Sequence, residues 1–224
     1  ETLLGCSIES VLGTQQFETF RSQVLNNEPP SAKLLRIPAN GRAVEMHCIA
    51  HRHDGVLIVE LDLASETHSL EPLELDAHIR IPLGRMEQAT DILQLFRLAA
   101  EEIRRLSGFD RVMVYRFDEG LNGEVIAEAV GAALPVLYLG SRFPESDIPA
   151  QARQLFLMNP SRSIADVAAE PVPIIPEIGP LTGRPLDLTR SCLRSAAPIH
   201  LKYLRNMAVQ SSMTLSIVVN HRLW

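Results

Sequence analysis

Cysteine is scarce: the 224 residues contain three, Cys6, Cys48 and Cys192. An odd number with no Cys-x-x-Cys or Cys/His spacing suggests neither a disulfide framework nor a zinc site, and free thiols fit the cytoplasm. Long apolar runs are missing as well. None approaches the ~20 residues that cross a bilayer, and the first residues carry no signal-peptide pattern, so no membrane partner is expected. Positive charge is in deficit, with 21 Lys and Arg against 27 Asp and Glu and a formal charge of −6. The clustered basic face of a nucleic-acid binder is therefore not expected, and local positive charge must come from individually placed arginines. Repeats and low-complexity tracts are absent. What remains, 46% hydrophobic and 21% charged residues, is ordinary for a folded chain of one large domain or two small ones. The chain opens on Glu1 and stops at Trp224 directly after a strand-like run; it reads as a fragment, cut at both ends.

Periodicity divides the chain in two. Gln16 to Asn27 sets Phe17, Phe20 and Val24 on one helical face, closed by Pro29-Pro30. Val44, Met46, Cys48 and Ala50 then alternate with Glu45, His47, Ile49 and His51, and Val56 to Leu63 runs almost continuously apolar, as a strand covered on both faces would. A small α+β module over about residues 1–70 follows. Glu71 to Gly84, with Pro72 and Pro82 near its ends, reads as a linker. An amphipathic helix comes next, with Met86, Ala89, Ile92, Leu93, Phe96, Ala99, Ala100, Ile103 and Leu106 in one stripe and Gly108 as its C-terminal cap. The second module, 85–224, has strands at Arg111–Phe117 and Glu124–Val130, a helix opening near Pro149 and a strand near Ser163–Ala168. A Pro-rich loop from Pro171 to Arg190 follows, of a length that is uncommon unless it has a function. A helix with Pro198 in its first turn and a strand over Ser211–Val219 close the chain. In that strand Ser212, Thr214 and Ser216 share one face and Met213, Leu215, Ile217 and Val219 the other. The apolar face is expected against the core and the hydroxyl face outward.

Arg162, just past the earlier helix, and Arg194, six residues before His200, add guanidinium groups to that row of hydroxyls. Together they would suit an anionic ligand with two separated acid groups, since guanidinium binds carboxylate bidentately. Phe143-Pro144-Glu145-Ser146-Asp147-Ile148-Pro149 is the most unusual segment. Its prolines stiffen the backbone and push Ile148 out of the α region. A plain reading of the same residues is a helix entry with Asp147 in its first turn.

That segment with Ala150-Gln151-Ala152-Arg153 resembles the signature of the chromophore-binding GAF domain of bacteriophytochromes. Leu193-Arg194-Ser195-Ala196-Ala197-Pro198-Ile199-His200, running on through Met207, resembles the second signature of that family, and Asp110 to Phe117 resembles the opening strand of the domain. The three stand in the family's order from Gly108 to Trp224. Residues 1–70 resemble, more weakly, the preceding PAS domain, and the Pro-rich loop resembles the lasso through which the family's N-terminal segment threads.

The resemblance implies an α+β fold, an N-terminally incomplete PAS domain followed by a GAF domain, each an antiparallel sheet with flanking helices. It implies a linear tetrapyrrole, biliverdin or a relative, that isomerises on absorbing red light. The main-chain carbonyl at Asp147 would accept pyrrole N–H groups and its carboxylate would join the switch. His200 would share a pyrrole water and support protonation of the bilin. Arg162 and Arg194 would hold the propionates, helped by Ser212 and Thr214, while Met113, Tyr115, Phe143, Ile148 and Tyr203 would wall the rotating ring. Ser146, beside Asp147, belongs to the same site. The implied partners are the downstream sensory and output domains of a parent protein, a histidine kinase, and a second copy of the chain.

Departures from the family pattern are equally definite. Ile199 stands where plant and cyanobacterial members attach the bilin, so the attachment cysteine is expected upstream of Glu1, with Cys6 structural. Ala197 replaces a usual serine, Ala208 a usual glycine, and Glu145 a small residue, adding charge beside the pocket. No kinase signature is present and no base lies at a defined spacing from Cys192, so the chain itself is not expected to be an enzyme. Two other classes stay open: a bilin-free GAF scaffold or dimerisation module, and a GAF sensor of a small metabolite.

Overall fold

In the computed structural model, residues 3–23, 33–39, 42–64, 72–132, 134 and 136–224 are described. The helices are α1 (Ile8–Leu12), α2 (Thr14–Gln23), α3 (Pro72–Met86), α4 (Ile92–Ser107), α5 (Ala150–Met158) and α6 (Pro198–Asn206). The strands are β1 (Lys33–Ala39), β2 (Arg42–His53), β3 (Val56–Leu63), β4 (Arg111–Phe117), β5 (Gly123–Val130), β6 (Arg142–Phe143), β7 (Ser161–Ile164), β8 (Ser212–Leu215), β9 (Val218–Val219) and β10 (Arg222–Leu223). Every sheet pairs antiparallel, as the α+β reading requires. Among the described residues no helix is long and apolar enough to cross a membrane.

The described residues form two compact units that do not follow the chain contiguously: Glu1–Thr67 with Ser161–Leu215, and His68–Pro160 with Ser216–Trp224. The first unit is built on the sheet β1-β2-β3. One face of it packs Leu35, Ile37, Cys48 and Ala50 against Leu12 and Phe20 of the N-terminal helices. The expected helix from Gln16 is present as far as Gln23; Val24 to Asn27 and Pro29-Pro30 lie outside the described residues. The other face is covered too. Ile58 and Glu60, on β3 between the core residues Leu57, Val59 and Leu61, are both buried. Double coverage is why Val56–Leu63 reads as nearly unbroken apolar sequence.

What reaches this side of the first unit is the Pro-rich segment, which forms no helix or strand between Ile164 and Pro198. It is fastened at several points. Arg184 pairs with Asp54 at 2.5 Å, His53 with Asp187 at 3.0 Å, and Glu60 accepts the N–H groups of Cys192 and Leu193. Bonds from Thr189, then His53, hold the Asp187 carboxyl well below the usual carboxylate range. Within the same unit, Val167, Leu201 and Leu204 bury against Ile164, Ala196 and Val209. Helix α6 ends in a complete Schellman arrangement: Val209 N–H reaches Leu204 C=O, Ala208 N–H reaches Arg205 C=O, and Val209 packs near Leu204. The left-handed position in that motif, usually glycine, is Ala208 at φ 57°.

In the second unit α4 covers β4 and β5, burying Ala100, Val114, Ala127 and Ala129 beside Phe96 and Trp224, whose rings stack at 4.8 Å. Asp91 caps the helix start and Gly108, at φ 71°, its end. The apolar stripe expected from Met86 is divided between two helices, because the stretch read as a linker from Glu71 to Gly84 is helical from Pro72 to Met86. Proline is compatible with a first turn, and Pro82 sits inside the helix with its ring buried. Within β5, Gly123 is buried directly under the Tyr115 side chain, where a Cβ would overlap the ring.

Two further expectations change. The expected strand near Ser163–Ala168 is shorter and earlier, Ser161–Ile164, and the strand over Ser211–Val219 stops at Leu215 before a separate hairpin, β9–β10, turns at Asn220 and His221, both at positive φ. The faces of β8 are also reversed. Ser212 and Thr214 are half-buried, while Met213 and Leu215 are exposed. The register explains it. Ser212 opposes Ile164, which packs on the Val167–Leu201–Leu204 cluster, so the hydroxyl side of β8 is turned inward. Cys6 is exposed, whereas Cys48 is buried.

Burial pushes the Cys48 thiol up to about 11. The protonated thiol is thus favoured in the folded state, and that stabilisation, complete below the unfolded value of about 8.5, is lost as pH rises towards 11. Urea titrations from pH 8 to 11 should show this alkaline loss in the wild type and a flatter profile in Cys48→Val. Ala208→Gly should raise stability by about 1 kcal/mol, since an L residue in the left-handed region costs ~1–2 kcal/mol; an unchanged urea midpoint would remove the strain from the account.

Candidate ligand-binding site

The twelve residues singled out from sequence divide evenly between the two units. Arg162, Arg194, His200, Tyr203, Ser212 and Thr214 belong to the first, and Met113, Tyr115, Phe143, Ser146, Asp147 and Ile148 to the second.

In the first unit, pairing of β7 with β8 sets Arg162 directly opposite Thr214 on the face that also carries Ser212. The Arg162 guanidinium donates to Cys192 C=O at 2.6 Å and to Arg194 C=O, and Arg194 donates to Ser191 C=O at 2.6 Å. A guanidinium has five N–H donors, so such bonds fix its orientation without exhausting it. The two cations feel one another. Burial, then the Arg194 charge, lowers the pKa of Arg162, which nevertheless stays protonated. Two like charges held this close make a site that gains from an incoming anion.

His200 lies one turn into α6, whose Leu201 and Leu204 face the core while His200 and Tyr203 stay exposed. Although the residue is exposed, partial desolvation, followed by the Arg162 charge, lowers its pKa and favours neutral imidazole. The Cys192 thiol is pushed up by burial and Glu60, which outweigh Arg162 and Arg194. A thiol held protonated is a weaker nucleophile than its thiolate.

In the second unit the Phe143–Ile148 segment begins on β6, where Phe143 pairs with Gly123, and closes in a 3-10 turn, Glu145–Asp147. Asp147 N–H donates to Pro144 C=O at 3.0 Å, and Ile148 sits at φ −124°, ψ 84°, outside the α region as its following proline requires. Tyr115 and Phe143 approach to 5.9 Å between ring centroids, with Phe117 edge-on to Tyr115 at 5.3 Å. Asp147 and Ser146 are exposed at the turn, Ile148 and Phe143 half-buried, and Met113 exposed on β4.

Sequence reading did not single out what holds this turn. Arg153, only 9% exposed on α5, donates to Glu145 C=O at 3.3 Å and to Ile148 C=O, and pairs with the Glu145 carboxylate at 2.5 Å. Glu145, expected as an added charge beside a pocket, is thus matched within its own turn. Glu60 was likewise passed over; of the two carboxylates in Val56–Leu63, Glu60 and Asp62, it is the one placed deeper in the apolar run.

These observations meet the comparisons with known proteins. The family model described as a PAS fold matches residues 1–64 and the one described as a GAF domain matches 91–224. Cyanobacterial phytochrome B of Nostoc is 42% identical over the whole chain, which corresponds to 30% of that protein. The bacteriophytochrome of Pseudomonas aeruginosa is 44% identical over 79% of the chain and 24% of its own length. The chain therefore spans about a third or less of these relatives. The solved chromophore-binding domain of Stigmatella aurantiaca phytochrome P1 superposes with a TM-score of 0.86 at 39% identity, covering 99% of this chain and 73% of that one. The chromophore-binding domain of an R. palustris bacteriophytochrome gives 0.87 at 36%, covering 97% and 70%. With a PAS fold matched over residues 1–64, a GAF domain that holds both motif regions matched over 91–224, and these relatives aligned along nearly the whole chain, the chain belongs to the phytochrome family.

Proposed function

We propose that this chain is the light-sensing core of a red/far-red photoreceptor, binding a linear tetrapyrrole, biliverdin or a relative, that photoisomerises and signals to an output domain elsewhere in the parent protein. The output is taken to be a histidine kinase and the chain to act as a homodimer, with no catalysis in these residues. Residues 1–70 serve as the PAS domain and 85–224 as the GAF domain, joined through α3, and the attachment cysteine is expected upstream. The observation that carries this reading is the register of β7 and β8, which sets Arg162 beside Thr214 within the field of Arg194. That is a receiver for the two propionates of an otherwise apolar pigment.

Each remaining residue has a physical task. An open-chain tetrapyrrole in its cationic form presents N–H donors that cost ~1–3 kcal/mol each if buried unpaired. The Asp147 carbonyl supplies an acceptor on a turn stiffened by Pro144 and Pro149. Neutral His200 accepts a hydrogen bond without adding a second positive charge beside the pigment. Tyr115, Phe143, Ile148, Met113 and Tyr203 confine the rings, and Ser146 and Ser212 add polar contacts.

Added biliverdin should give a long-wavelength absorption band that changes under red light, and at a free concentration a hundred times Kd it should stabilise the fold by about 2.7 kcal/mol. No band and an unmoved melting temperature would favour the pigment-free scaffold instead. Asp147→Ala should keep the band but impair its response to light. His200→Ala should shift the pH at which the band fades by about one unit, read by absorbance titration; unchanged spectra in both variants would overturn the assigned roles.

A further inference from the structure

We propose that Glu60, on the second face of the first sheet and distant in sequence from both signatures, is a positioning residue for the anion-binding arginines. Its carboxylate is 8% exposed. It accepts Cys192 N–H at 3.0 Å and Leu193 N–H at 2.6 Å, one on each oxygen, while His51 Nδ1, at 3.9 Å, lies beyond hydrogen-bond range. The N–H of Cys192 belongs to the same peptide plane as the C=O of Ser191, and that carbonyl accepts Arg194. The N–H of Leu193 shares its plane with the C=O of Cys192, which accepts Arg162. Two consecutive peptide planes are therefore each gripped at the N–H edge by the carboxylate and at the C=O edge by a different guanidinium.

The electrostatics reinforce this arrangement. A peptide dipole has its positive end at N–H and its negative end at C=O, so an anion at one edge and a cation at the other align with it, and hydrogen bonds in series polarise one another. The Glu60 charge also reaches the Arg162 side chain, where it opposes the repulsion from Arg194. A third bond, from Arg162 to Arg194 C=O, joins the two arginines through the same loop. Glu60 thus fixes where both guanidinium groups sit without being placed to touch a ligand they bind.

This inference rests on the bilin reading for its ligand, and the test separates the two. Full-length chain and Glu60→Gln are compared in amide hydrogen exchange and in titrations with biliverdin and its dimethyl ester, which lacks the propionate charges. An amide side chain offers one acceptor and turns an N–H towards the other peptide plane. Exchange at Cys192 and Leu193 should therefore rise about tenfold, and biliverdin should bind about tenfold more weakly while the ester changes less than about twofold. Unchanged exchange at the two amides, or equal weakening of acid and ester as in a general loss of structure, would overturn the role of Glu60. A wild-type chain that takes up neither pigment defeats the bilin reading, and exchange alone then decides whether Glu60 sets the loop.

Discussion

A charge taken out of water must be matched atom by atom, and in this chain the matching atoms are largely main-chain groups of irregular segments. Glu60, on β3, holds the N–H groups of Cys192 and Leu193. Arg153, on α5, holds the carbonyls of Glu145 and Ile148. Glu128, on β5, accepts Tyr138 and Leu139 N–H at 2.9 Å each and pairs with Arg111, which reaches Val136 C=O. In all three a rigid element supplies the charge and a loop supplies the partners. Breaking one side of such a pairing costs ~3–5 kcal/mol, because the stranded group is left desolvated. Two of the three loops carry candidate site residues, Asp147 and Arg194, so these segments are not loose connections; regular structure dictates their course.

Much of this architecture was legible in the residues. The boundaries of β3 and β4, the helix after Pro149 and the one opening on Pro198 follow from periodicity and proline placement. The failures share a cause: local rules were applied where tertiary contacts decide. Pro72 and Pro82 read as breakers, yet the first opens a helix and the second is accommodated inside one. The faces of β8 followed hydrophobicity on paper, but pairing with β7 turned the hydroxyls inward. Glu60 was hidden within an apolar run because its partners lie more than 130 residues away.

The candidate site was recognisable as motifs, while its mechanics were not. Arg162 and Arg194 could be named from sequence, but their dependence on a shared loop could not, because main-chain carbonyls leave no trace in residue identity. The Glu145 substitution illustrates the converse. Alone it adds a negative charge; with Arg153 on the next helix it closes a turn. Whether a departure from a family pattern weakens or reinforces a site thus depends on its three-dimensional neighbour.

Gly123 carries a last implication. Tyr115 lies over it where no other residue would leave room, and the same glycine pairs with Phe143 at the start of the Asp147 segment. The aromatic ring and the bare main chain beneath it form a single evolutionary character. A lineage could enlarge position 123 only after shrinking or turning the ring at 115, so the two positions should drift in concert, and change at this part of the sheet is confined to paths that pass through both.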